Sequence, residues 1–61
     1  MTDTERAQLI WAGEAAYDYC APILARIKEE AADCGIATTD DEIMEILSEV
    51  NKRIDKTRNR R

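Results

Sequence analysis

Ile10, Gly13, Tyr17, Cys20, Leu24, Ile27, Ala31 and Cys34 follow one another at alternating steps of three and four. This is the seam period of packed helices. Eight alanines between Ala7 and Ala32 add intrinsic helix propensity over the same stretch. Ile43, Leu47, Val50 and Ile54 repeat the period further on, with Ile46 beside them. Two helix-start signals frame these stripes. Thr2 precedes Glu5 by three residues, and Thr39 precedes Glu42 by three, each the pattern of a capping box. Gly35, in the break Asp33-Cys34-Gly35-Ile36-Ala37-Thr38, supplies the left-handed residue that ends a helix.

The pattern predicts an all-α fold, a helical hairpin in one small domain spanning residues 1–61. A long first helix covers about residues 3–34, a turn covers 35–39, and a shorter second helix covers about 40–57. The basic tail 58–61 has nothing to bury and is expected to fray. Pro22 lies inside the first arm, where it removes a backbone hydrogen bond and disfavours helix at Ala21. It must kink the helix or split it. A split needs turn residues, and Tyr19-Cys20-Ala21-Pro22 contains no Gly, Asn or Asp. A kinked, continuous helix is therefore the expectation, and a three-helix bundle with breaks near residues 21 and 36 is the alternative.

Arm length turns this fold into a statement about assembly. At about 1.5 Å per residue, the first arm spans about 45 Å and the second about 27 Å. The short arm leaves the amino-terminal part of the long one uncovered, including Leu9, Ile10, Trp11, Ala16, Tyr17 and Tyr19. The apolar stripe there is wide enough for more than one neighbouring helix. A homodimer that completes a four-helix bundle follows as the expected assembly. In layout and length alone, such a pair resembles the Rop family of plasmid RNA-binding proteins, short helical hairpins that pair into four-helix bundles. The likeness rests on no shared motif, and a similar fold does not carry function.

Size sharpens the need for support, because a chain of 61 residues buries only about 60% of its unfolded surface. On one straight helix Cys20 and Cys34 would stand about 21 Å apart, beyond the reach of a disulfide. Two buried thiols in a charged chain fit a reducing, cytoplasmic setting. The chain has no His, and two thiols so far apart cannot share an ion, so no metal and no cofactor are expected. The apolar run Tyr19–Ala25 is far shorter than the ~20 residues a membrane span needs.

Charge divides the chain: residues 1–50 hold twelve acids and three bases, while 51–61 hold six bases and one acid. Lys52, Arg53, Lys56, Arg58, Arg60 and Arg61 could grip phosphates, which makes a nucleic-acid-binding dimer the alternative function. Their position at a helix carboxyl end also accounts for the first four, and no aromatic residue stands near them for base stacking. Catalysis has little to work with. There is no His, the single Ser48 lies on a polar helix face, and no glycine-rich phosphate loop is present.

The leading expectation is a small, non-enzymatic interaction or regulatory protein whose partner is another protein. Trp11, the one tryptophan, lies well away from the Ile10, Tyr17 and Leu24 seam, near Ala15, Asp18 and Pro22. It is either a partner anchor or a residue covered by the kink or by a mate. Tyr17 sits on the main stripe and reads as core, whereas Tyr19 is the freer contact residue. Glu42, Glu45 and Glu49 share one helix face, which is either a solvated face or an acidic surface that competes for a basic site on the partner.

Overall fold

The computed structural model describes the backbone of residues 1–58 and side chains through Lys56. Three helices, α1 (Asp3–Asp18), α2 (Ile23–Asp33) and α3 (Asp40–Arg58), follow in order, with no strand among the described residues. The chain is all-α. Both capping boxes form. Thr2 Oγ1 accepts from the Glu5 N–H at 3.2 Å while Glu5 Oε1 accepts from the Thr2 N–H at 2.8 Å. Thr39 and Glu42 repeat the exchange at 3.2 and 2.9 Å, which places the α3 start where the sequence marks it. The expected fraying from residue 58 meets a helix that still includes the Arg58 backbone; residues 59–61 lie outside the described residues.

The long kinked first helix is replaced by two helices, which is the three-helix alternative. Cys20 adopts φ 57°, a left-handed conformation, although it is not a glycine. Around it, the Ala21 N–H donates to the Ala16 carbonyl at 2.8 Å and the Cys20 N–H donates to the Tyr17 carbonyl at 3.1 Å. These are the paired bonds of a Schellman helix end. The end of α2 repeats the arrangement with Gly35 at φ 67°, the Ile36 N–H bonding to Ala31 O at 2.8 Å and the Gly35 N–H to Ala32 O at 3.2 Å. Pro22 then serves as the cap residue before α2, at φ −64° and ψ 114°, a position that asks for no N–H. Its carbonyl accepts the first α2 bond, from Arg26 N–H at 3.0 Å.

Placing Cys20 in the left-handed region costs about 1–2 kcal/mol. Folding α2 back on α1 buries Ile27 completely, and full burial of one such side chain is worth about 1.5–3 kcal/mol. That single residue offsets the strain, which explains how the chain turns without a glycine.

Helix directions follow from cross-helix pairs. Gln8 on α1 reaches Glu30 late in α2, so these two helices run antiparallel. α3 begins at that same end and passes Gly13 with Val50 and Glu14 with Arg53, running alongside α1 in the same direction. Leu9, Ile27, Ile46 and Val50 are fully buried at the centre, with Ile10, Ala31, Ile36 and Ile43 around them. The closest approach is at Gly13, where a Cβ would stand 2.7 Å from Val50 Cγ2 and 3.3 Å from two Ile27 carbons.

The break also corrects the seam. Ile10, Gly13, Ile27 and Ala31 are buried as the three-four spacing implies, but Tyr17 and Leu24 are exposed, as are the thiols of Cys20 and Cys34. A stripe drawn through Pro22 assumes one unbroken helix, and the turn at Cys20 resets the angle of Leu24 and every later residue, whereas Tyr17 precedes the turn and lies off the α1 core face itself. The α1 face that meets the core is instead Leu9, Ala12, Gly13 and Ala16, with Ile10 beside it. One face of the amino-terminal part of the first arm is therefore covered by the chain itself. Leu9 is 0% exposed and Ile10 is 5% exposed, and Ala16 is buried with them, whereas Trp11, Tyr17 and Tyr19 of the same stretch stay exposed. A chain of three helices also departs from the two-helix layout of the Rop-type hairpin.

Candidate docking face

On α1 the positions opposite the core are Trp11, Ala15 and Asp18, since steps of four and three keep one helical face. The capping box at Thr2 starts α1 and the left-handed Cys20 ends it, so this face is presented by about four turns of helix. Trp11 is 63% exposed and Tyr19 is 84% exposed. An indole left in water on a domain this small is unusual for a residue that is ordinarily well buried. Ala15 lies midway between the two aromatics, four residues from each. A small side chain between two large ones makes a saddle, and the structure has a concavity of about 340 Å³ there, lined by Trp11, Glu14, Ala15, Asp18 and Tyr19.

The saddle is negative. Glu14 and Asp18 are its two charged members, and α1 has no basic residue in its last turn. The carboxyl end of a helix already carries partial negative charge, so Asp18 in that turn opposes the dipole rather than complementing it. On α3, Arg53 answers part of this charge, with Nη1 3.6 Å from Glu14 Oε1 and Nε 3.5 Å from Glu49 Oε1. Asp18 has no ion-pair partner among the described residues.

The residues expected to meet a partner are divided by the structure. Trp11 and Tyr19 come together in the saddle. Glu42, Glu45 and Glu49 line no part of it. Glu42 is spent on the α3 capping box, Glu49 is partly covered and linked to Arg53, and Glu45 is exposed. Of the basic set, Lys52 and Lys56 are exposed on α3 and Arg53 lies between Glu14 and Glu49. The side chain of Arg58 and all of Arg60 and Arg61 lie outside the described residues. Sequence reasoning passed over Glu14 as a site residue and named Asp18 and Ala15 only as neighbours of Trp11. The signal was present in the spacing, since Glu14 and Asp18 are one turn apart and flank the Trp11–Ala15 line.

A second cluster is structural. Glu30 Oε2 accepts from Gln8 Nε2 at 2.8 Å and from the Cys34 thiol at 3.3 Å, while Arg26 Nη2 stands 3.4 Å from Glu30 Oε1. The carboxylate thus clasps α1 to both ends of the last turns of α2. The Gln8 hydrogen bond, followed by that of Cys34, holds the Glu30 pKa below its ordinary 4.5, and the bond to Glu30 pushes the Cys34 thiol up from 9.0. A raised thiol pKa leaves less thiolate and a poorer nucleophile.

No three His, Cys, Asp or Glu side chains among the described residues gather in a way that could hold a metal ion. No helix among those residues is long and apolar enough to cross a membrane. Comparison with protein-family models, with curated proteins and with solved structures finds no match to this chain.

Proposed function

We propose that this chain is a small, non-catalytic docking module that binds another protein through the Trp11–Tyr19 face of α1. The observation that carries the reading is the outward position of Trp11, 63% exposed on the side of α1 away from a core that is complete without it. Tryptophan and tyrosine are the side chains that most often anchor protein interfaces, because each brings a large rigid apolar area with a polar tip. The saddle between them gives a partner side chain somewhere to enter. Regulation by occupancy follows from such a surface, since a bound module blocks whatever its partner would otherwise meet.

The homodimer enters as one use of this face, supported by the exposure of Trp11, Tyr17 and Tyr19 on the first arm. Capture from the native host with immobilised wild-type chain and with Trp11→Ala tests the reading. A protein retained by the wild type and lost by the variant, with helicity unchanged, supports it; the same retained set for both refutes it. A sedimentation mass of two chains that falls to one in Trp11→Ala would make the second copy the partner.

A further inference from the structure

We propose that the saddle receives a cationic side chain, arginine or lysine, from a basic segment of the partner. This rests on the docking reading above and adds the chemistry of the occupant. Three independent features point the same way. Two aromatic rings stand on either side of a small residue and are largely exposed, and their π faces attract a cation placed over them. Asp18 supplies a negative charge with no ion pair among the described residues, and Glu14 a second one that Arg53 answers in part, within the same concavity. The carboxyl end of α1 adds its partial negative charge, with no basic residue in the last turn to cancel it.

Asp18 is the most telling residue. For the stability of α1 alone, a lysine or arginine there would be better, because it would complement the negative end of the helix. A local rule broken at an exposed position with no internal compensation is what a binding site leaves behind. Arg53 shows that this end of the molecule accepts a guanidinium: it approaches Glu14 from the α3 side and leaves the Asp18 carboxylate for a cation arriving from outside. The same charge excludes the competing classes of occupant. A phosphate backbone, an anionic lipid surface or an acidic peptide would bring like charge to Glu14, Asp18 and the negative helix end.

The test uses two short Gly-Ser peptides, identical except that one carries three arginines where the other carries three citrullines. Citrulline keeps nearly the shape and most of the hydrogen bonding of arginine but has no charge. Binding is followed by two-dimensional amide NMR of the full chain, including the Trp11 indole N–H. The arginine peptide is expected to shift the Trp11 indole, Ala15 and Tyr19 signals, more weakly as salt rises, and the citrulline peptide is expected to leave them unmoved.

Asp18→Asn and Trp11→Leu, both at exposed positions, should each weaken arginine-peptide binding by about two- to fivefold. Glu45→Gln, exposed on α3 and outside the saddle, should not. The proposal is overturned if the citrulline peptide binds as well as the arginine peptide. It is equally overturned if the shifts centre on Asp40 and Asp41, or if Glu45→Gln weakens binding as much as Asp18→Asn. These outcomes are distinct from failure of the docking reading, which is decided by whether Trp11→Ala loses a protein partner.

Discussion

Replacing Cys20 by glycine separates the two architectures this sequence allows by the sign of one number. In the three-helix structure Cys20 holds φ 57° at the end of α1, and its side chain is exposed. Glycine removes a left-handed strain of about 1–2 kcal/mol and loses no buried contact. Both hydrogen bonds that close the helix are made by backbone groups, so they survive the change. Against this stands the greater freedom of glycine in the unfolded chain, about 0.4–1 kcal/mol. The difference is a net gain of roughly 0.8 kcal/mol, or about 3–6 °C in Tm for a domain of this size. A kinked continuous helix gives the opposite sign, because glycine inside a helix costs about 0.5–1 kcal/mol. Thermal and urea unfolding followed by circular dichroism under reducing conditions reads the difference, with Cys20→Ala as the control that removes the thiol and keeps the strain. A Cys20→Gly variant less stable than Cys20→Ala would refute the split. Gly35→Ala is the reciprocal change: nothing lies within 4 Å of the added Cβ, so its expected loss of about 1 kcal/mol is backbone strain alone.

Two further outcomes follow from the packing and from the titrating groups. Gly13→Ala should destabilise by up to about 2 kcal/mol, since the added Cβ meets fully buried Val50 and Ile27 and an overpacking cost of about 1–3 kcal/mol exceeds the ~1 kcal/mol gain in helix propensity. Val50→Ala should cost less in that background than alone, and strictly additive losses in a double-mutant cycle would contradict the contact. Acid should weaken the fold through Glu5 and Glu30. The Thr2 N–H holds Glu5 below 4.5, and the Gln8 amide does the same for Glu30. A depressed native pKa adds stability that is complete above about pH 4.5 and is lost as pH falls through the lowered values. Urea midpoints should therefore drop below that pH, and Glu30→Gln should flatten the drop; an unchanged slope would show that the clasp contributes nothing.

Much of this fold was legible because its signals are local. Thr2 with Glu5, Thr39 with Glu42, and Gly35 each act within one turn of chain, and each sits in the structure where the pattern placed it. α3 was legible from its start, since Ile43 and Val50 of the expected stripe are buried on one unbroken helix, although Ile46 beside it is buried more fully than Leu47 and Ile54 within it. The first arm was not, because the usual turn residues are absent and a cysteine takes the left-handed position that glycine takes at the other helix end. Tertiary burial of Ile27 compensates that strain, and no local pattern reveals it. The stripe still places Ile27 and Ala31 in the core, but Tyr17, Leu24 and both thiols are exposed, and of the amino-terminal residues read as uncovered Leu9, Ile10 and Ala16 are buried while Trp11, Tyr17 and Tyr19 are not. Trp11 escaped the error, since its place opposite the core depends on α1 alone. Glu14 and Asp18 were overlooked for another reason: a lone carboxylate on a helix reads as solvated face until two aromatic side chains are seen to enclose it.

The core is complete in one chain and leaves Trp11 exposed, and the proposed role of that indole is to anchor a partner. The affinity of a captured partner for wild type, Trp11→Ala and Met44→Ala tests it most directly, because Trp11 and Met44 are both large, apolar and more than half exposed, at 63% and 56%. An anchor residue is worth about 2 kcal/mol or more, so Trp11→Ala should weaken binding by about thirtyfold or more while Met44→Ala leaves it within about twofold. Equal affinity for all three proteins, with their helicity intact, would contradict the account.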